Sequence, residues 1–128
     1  MNVDNIGDVL TLTSQHPTAA RTATANGAVA ADLRTYDGDI AYLLDCAAGT
    51  GTTPTLDLKV QDSDDGSTGW ADVTGATFTQ VAAVASQQKL VVNKSAIKRY
   101  TRVVYTIAGT TPSFTFSVNI LGVPKYPA

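Results

Sequence analysis

A chain of 128 residues is long enough for one domain with one hydrophobic core. Hydrophobic residues make up 44% of it and charged residues 16%, a globular composition that excludes a disordered chain. The formal net charge is −2 and the Lys and Arg residues are mostly scattered, which argues against nucleic acid as a partner. No segment approaches the roughly 18 apolar residues of a membrane span, and the N-terminus lacks the features of a signal peptide. The sequence therefore predicts a protein made in a cytoplasm that does not span a membrane.

The N-terminal segment predicts an extended arm. Residues 9–13 alternate weakly and indicate a short strand that attaches the arm to the body or to a neighbouring subunit. Residues 14–31 are rich in Ala, Thr and Ser, so helix and strand propensities conflict, and we favour extended chain. The arm is assigned to residues 1–27.

From residue 28 the pattern is typical of antiparallel strands. Residues 28–33 predict a strand, residues 36–39 a turn and residues 62–69 a longer turn, after which Trp70 is expected to close one end of the core. The last strand carries large apolar side chains and is expected to be central. The predicted inward-facing side chains are Ile40, Tyr42, Leu44 and Cys46, then Leu56, Leu58 and Val60, then Phe114, Phe116, Val118 and Ile120.

A ten-residue pattern occurs twice in the chain. The segment GTTPTLDLKV at residues 51–60 returns as GTTPSFTFSV at residues 109–118. In both copies an apolar run enters the Gly/Thr/Pro segment and an alternating strand leaves it. This arrangement predicts two similar β-hairpins with the Gly/Thr/Pro segments as their turns.

The pattern as a whole predicts an all-β fold. We expect a single antiparallel β-sandwich, jelly-roll or Ig-like, formed by residues 28–121 and preceded by the extended arm. Residues 122–128 contain two prolines, which cannot continue in a sheet interior, so they are assigned to a short C-terminal tail.

The groups that could act as nucleophile or base are separated in the sequence. His16 is the single histidine and is expected to be exposed in the polar arm, so neither a Ser/His/Asp triad nor a Cys/His pair is predicted. Cys46 is the single cysteine and falls on an apolar strand face, which indicates core packing. No catalytic residue is predicted, and the protein is expected not to be an enzyme.

An acidic run raises the question of a metal site. Asp62, Asp64 and Asp65 begin like a calcium loop, but Gly66 stands at the fifth position and Val73 at the twelfth, where ligands are needed. Asp and Gly also favour tight turns, which explains the run without a metal. No metal or cofactor is predicted, and occasional cation binding by the three carboxylates is left open.

Aromatic side chains define the alternative from a different functional class. A carbohydrate-binding module needs an exposed aromatic platform, whereas most aromatic residues here occupy strand positions where core packing is the default. The candidates are Tyr36, Tyr42, Tyr100, Tyr105, Tyr126 and Trp70.

Four segments together resemble a family of small structural proteins of tailed bacteriophages: residues 49–68, 70–80, 98–104 and 109–118. The resemblance extends over about residues 28–121. It implies a component of the virion, assembled in the cytoplasm of the bacterial host, and above all a decoration (cement) protein that binds the outer shell and stabilises the head.

This interpretation carries expectations about partners. They are the major capsid protein and copies of the protein itself, as a homo-oligomer for which a trimer is one candidate, with no nucleic acid and no membrane. The arm is expected to become ordered on binding the shell or a neighbouring subunit. The alternative within the virion is a structural protein of the tail or of the head–tail junction.

Overall fold

The computed structural model describes residues 11–26, 33, 36–93 and 97–124, and the strands in these ranges pair only in antiparallel fashion. No helix in this part of the chain is long and apolar enough to cross a membrane. The strands are β1 (Thr11–Arg21), β2 (Ala25–Asn26), β3 (Tyr36–Cys46), β4 (Thr50–Ser63), β5 (Ala71–Thr77), β6 (Ser86–Asn93) and β7 (Tyr100–Pro124).

The strands form the two sheets of a sandwich, and β7 belongs to both. Sheet A has the order β1, β7, β3, β6, and sheet B has the order β2, β7, β4, β5. Residues 100–113 of β7 lie in sheet B and residues 114–124 lie in sheet A. The prediction of an all-β antiparallel sandwich is confirmed, and the last strand is central in both sheets.

The side chains predicted to face inward all belong to the core. Each of them, from Ile40 to Ile120, is at most 2% exposed. The rings of Tyr105 in sheet B and Phe116 in sheet A meet edge to face, with their centroids 5.3 Å apart. Strand alternation therefore predicted the buried face of three strands correctly.

The two Gly/Thr/Pro segments are not hairpin turns. β3 lies in sheet A and β4 in sheet B, and the two parts of β7 also lie in different sheets, so neither copy joins strands that pair with each other. Each copy is a corner at which the chain passes from one sheet to the other. The hairpin prediction was wrong because hairpins and corners share the same strand–turn–strand pattern.

The two corners pack directly against each other. A Cβ added to Gly51 would lie 2.5 Å from the carbonyl oxygen of Thr111, and one added to Gly109 would lie 2.9 Å from that of Thr52. Both glycines have positive φ, at 103° and 122°. Thr53 and Thr111 share a φ of 47°, which is unfavourable for a β-branched residue. The repeated sequence therefore meets its own copy where only glycine fits.

The N-terminal segment is part of the sandwich as far as the structure describes it. β1 pairs with β7 from Thr11, opposite Gly122, to Arg21, opposite Phe114, and β2 continues along β7 in sheet B. The predicted extended conformation is present, but residues 11–26 are not an arm, and the body begins before the predicted boundary at residue 28. An edge strand with few large apolar residues resembles a linker in sequence. His16 accordingly lies in β1, opposite Val118, rather than in an arm.

A buried chain of polar side chains fixes β1 to both sheets. The Tyr42 hydroxyl donates a hydrogen bond to Thr101 Oγ1 at 2.9 Å, and the Thr101 hydroxyl donates to Gln15 Oε1 at 3.1 Å. All three residues are buried. Burial raises the pKa of Tyr42 to about 12, which keeps its hydroxyl protonated and able to donate.

Two predicted irregular segments belong to strands. Residues 36–39 begin β3, where a shift of register and the positive φ of Gly38 mark a bulge rather than a turn. At the other end, β7 continues to Pro124, so the tail predicted from residue 122 overlaps with a strand end, where a proline is tolerated. Residues 125–128 lie outside the described residues. The strand predicted at residues 28–33 lies outside the described residues as well, except for Leu33, whose side chain is buried.

Candidate interaction face

The Cys46 thiol is part of the core. Its side chain is buried, and its Sγ lies 3.2 Å from the Ala47 carbonyl oxygen, to which it donates. Burial raises the pKa of this thiol to about 11, with a smaller contribution from the Asp45 carboxylate. A thiol in this state is not a nucleophile near neutral pH. The prediction of core packing for Cys46 is confirmed.

The acidic run forms a turn. Asp65 accepts hydrogen bonds from the backbone N–H groups of Ser67 and Thr68, each at 2.8 Å, and these bonds lower the pKa of its carboxyl group. Asp62 accepts the Lys98 backbone N–H at 3.0 Å. The described residues include no group of three or more His, Cys, Asp or Glu side chains placed to hold a metal ion. The carboxylates thus serve the loop and its neighbours.

The aromatic side chains do not form an open platform within the described residues. Arg99 Cζ lies 4.9 Å from the ring centroid of Tyr100, and Arg102 Cζ lies 4.5 Å from that of Trp70. An Arg side chain therefore covers each half-buried ring. Trp70 stands outside the core, whose end it was expected to close. The remaining candidates are buried (Tyr36, Tyr42 and Tyr105) or lie outside the described residues (Tyr126).

The outer face of sheet B is held together by its own side chains. Gln61 Oε1 accepts hydrogen bonds from Arg102 Nε at 3.0 Å and Nη2 at 2.8 Å. Gln61 Nε2 and Lys59 Nζ donate to the two carboxylate oxygens of Asp72 at 2.9 and 3.0 Å. These bonds connect three adjacent strands and leave few polar groups of this face for another molecule.

The outer face of sheet A differs in composition and in bonding. Its central strand β3 places Leu43 between Lys89 and Asn119 and places Asp45 between Gln87 and Ser117. We call the central outward-facing side chains of β3, β6 and the C-terminal part of β7 the sheet A face: Ala41, Leu43, Asp45, Gln87, Lys89, Val91, Thr115, Ser117, Asn119 and Leu121.

Polar groups of the sheet A face are available to a partner. Among the described residues, one hydrogen bond joins side chains at the centre of this face. Gln87 Nε2 donates to Asp45 Oδ1 at 3.4 Å, which is long for a hydrogen bond. Two open cavities of about 440 and 410 Å³ lie along the face and share Asp45 and Gln87 in their walls. The face thus offers hydrogen-bond donors and acceptors next to the apolar side chain of Leu43.

The sheet A face also carries a strongly exposed apolar side chain. Val84 is 77% and Val91 is 52% exposed, and these are the exposed large hydrophobic residues of the described chain. Val91 belongs to the sheet A face, and Val84 lies in the loop that leads into β6. Apolar side chains beside unpaired polar groups are typical of surfaces that bind other molecules. The sheet A face is therefore the candidate interaction face.

No residue of this face was predicted from the sequence as part of a site. Outward-facing Asp, Gln, Lys, Ser and Asn are what any solvated strand carries, and their lack of partners becomes visible only in three dimensions. The available signal was Leu43, an apolar residue in the outward phase between buried Tyr42 and Leu44.

No protein-family model matches the chain, and no match was found among curated proteins. Solved structures with similar folds include the CBM22-1–GH10 modules of xylanase 10B of Clostridium thermocellum, complexed with xylohexaose, at 14% identity and a TM-score of 0.50 over 98% of this chain and 26% of that chain. A chain of infectious bursal disease virus (Gt strain) is 11% identical, with a TM-score of 0.53 over 92% of this chain and 34% of its own. The SPBc2 prophage-derived protein YomS is 10% identical, with a TM-score of 0.48 over 88% and 93% of the two chains. The chain thus spans about a quarter to a third of the first two proteins, and at these identities their likeness establishes the β-sandwich fold.

Proposed function

We propose that the protein is a non-enzymatic structural component of a bacteriophage virion that decorates the outer surface of the capsid. The observation that carries this proposal is the contrast between the two outer faces. Sheet B bonds its polar side chains to one another, whereas the sheet A face leaves polar groups unpaired beside exposed valine. A rigid sandwich with one such face is suited to repeated association with other proteins.

Two further features support the proposal. The sequence resembles structural proteins of tailed phages over the sandwich, and the fold is shared with a viral protein. In addition, three groups considered above for chemistry serve the fold: Cys46 packs in the core, and Asp62 and Asp65 accept hydrogen bonds from backbone N–H groups.

The proposal is tested by cosedimentation with expanded capsids that lack the protein, followed by cryo-electron microscopy of the complex. We expect saturable binding at regular shell positions. The variant Ser117→Arg, on the sheet A face, should weaken binding by at least about tenfold, because a bulky charge would remain buried without a partner. The control Thr106→Arg adds the same charge on the same strand, but on sheet B, and should bind like the wild type.

Two outcomes contradict the proposal. Rings or tubes in solution without shell binding would favour the tail or head–tail junction. Equal loss of binding in the two variants would show that the sheet A face has no special role.

A second candidate function is supported by the cavities of the sheet A face. Asp45 and Gln87 line both cavities and Asn119 lines one of them, with groups that hydrogen-bond hydroxyls, and the fold is shared with the structure of the CBM22-1–GH10 modules complexed with xylohexaose. Titration of labelled protein with xylohexaose, followed by NMR, tests this function. Saturable shifts confined to β3 and β6 would support it, and an unchanged spectrum at millimolar sugar would exclude this ligand.

A further inference from the structure

We propose that the sheet A face binds the sheet A face of a second copy of this chain, which forms a dimer with twofold symmetry. The inference rests on the proposed function, and it assigns the same face to a contact between copies on the capsid instead of a direct contact with the shell protein. It is carried by the positions of an acid, a base and two leucines in the strand register.

The sheet A face carries one acidic and one basic side chain that do not pair with each other. Leu43 lies opposite Lys89, and Asp45 lies opposite Gln87, so these four residues form a rectangle of about 5 by 7 Å. Asp45 and Lys89 occupy one diagonal, and both are exposed. The ion pairs found in the described residues lie elsewhere, at the outer face of sheet B and at the acidic turn.

The other diagonal carries residues suited to a symmetry axis. Leu43 and Gln87 occupy it within the rectangle, and Leu121 continues the same line on β7, because Asn119 is the residue opposite Leu43. A side chain on a twofold axis meets its own copy. Leucine against leucine and an amide against an amide are compatible contacts, whereas two like charges in that position would repel.

A twofold axis along this diagonal carries Asp45 to within about 3 Å of the position opposite Lys89, an offset that the long lysine side chain can span. Each Asp45 then faces Lys89 of the second copy, and each Lys89 faces Asp45, which gives two ion pairs per dimer. The same axis buries Leu43 and Leu121 against their counterparts. Asp39 is also exposed in the outward phase of β3, but it lies opposite Asn93 at the start of the strand, away from this diagonal. The two charges at the centre of the face, Asp45 and Lys89, are matched in this arrangement.

Charge exchange tests the inference by sedimentation velocity and native mass spectrometry of the full chain. The wild type should form a dimer that weakens with added salt. Asp45→Lys and Lys89→Asp should each raise the dimer dissociation constant by at least about tenfold, because each replaces two attractive pairs with two repulsive ones. An equimolar mixture of the two variants should form a heterodimer, since two lysines on one copy then face two aspartates on the other.

Lys59→Asp is the matched control, because it reverses a charge on the outer face of sheet B and should leave the dimer unchanged. A wild type that stays monomeric, or single variants that dimerise like the wild type, would overturn the inference. If the wild type is monomeric and Asp45→Lys weakens shell binding, the occupant of the face is the shell protein and the decoration function stands. If the mixture restores dimers but the dimeric wild type does not bind shells, the dimer stands and the decoration function falls.

Discussion

Thr101 occupies an inward position near the start of β7, in the same phase as the buried Val103 and Tyr105, yet its side chain is a small polar one. Its hydroxyl accepts from Tyr42 and donates to Gln15, so three strands from two sheets are joined by two hydrogen bonds. A buried hydroxyl is costly unless it is paired, and the pairing is specific in direction. The sequence predicted the inward phase of Tyr42 but not this contact, because Gln15 is 86 positions away from Thr101.

Replacement of Thr101 by valine should destabilise the protein by about 1–3 kcal/mol, because the Tyr42 hydroxyl loses its acceptor in a buried site while the side-chain volume is nearly unchanged. The free energy of unfolding is measured by urea denaturation. Thr106→Val is the control, since it makes the same change on an exposed position of the same strand. Equal stability of the two variants would show that the buried chain contributes nothing.

The corners are the elements in which the fold departs most from its sequence pattern. Period-two alternation correctly placed Leu56, Leu58 and Phe116 in the core, because facing inward is a property of one strand. Whether the next strand joins the same sheet or the other one depends on contacts between the two Gly/Thr/Pro segments, and these contacts leave no local pattern in the sequence. Thr24 shows the same limit, since its Oγ1 accepts the Ile107 N–H at 3.0 Å where the N-terminal strands pass from sheet A to sheet B.

Gly51→Ala and Gly109→Ala should each destabilise the protein by about 2–3 kcal/mol, because the added methyl group would overlap backbone of the opposite corner at a positive φ. Gly75→Ala is the control, since its φ is 79° but nothing lies within 4 Å of the added Cβ. Thermal unfolding of the three variants separates the loss of stability that comes from the positive φ from the loss that comes from the close approach of the two backbones. A control that loses as much stability as the corner variants would assign the whole effect to φ.

The whole molecule is organised around β7, which borders β1 and β2 on one side and β3 and β4 on the other. Composition and alternation were enough to predict the sandwich and its central strand. They were not enough to place β1, whose role depends on pairing with a strand about 100 residues later. On the candidate interaction face, the residue types could be read from the sequence, but their lack of partners could not.

A chain that lacks residues 1–27 should fail to fold, because one edge of β7 would be exposed in both sheets and Thr101 would lose Gln15 as its acceptor. Circular dichroism and the dispersion of NMR amide signals measure the loss. A synthetic peptide of residues 11–26 should restore the folded spectrum when it is added. A truncated chain with native spectra and native stability would show instead that the predicted boundary at residue 28 separates an independent body.

The central position of β7 also has a consequence for biosynthesis. β1, β2, β3 and β4 all pair with this strand, and it is the last strand in the described chain. None of the four can complete its hydrogen bonds while β7 is still within the ribosomal exit tunnel. The pairs β3–β6 and β4–β5 do not involve β7, but neither sheet can be completed until β7 has left the tunnel. The sandwich therefore closes in a late step that depends on contacts far apart in sequence.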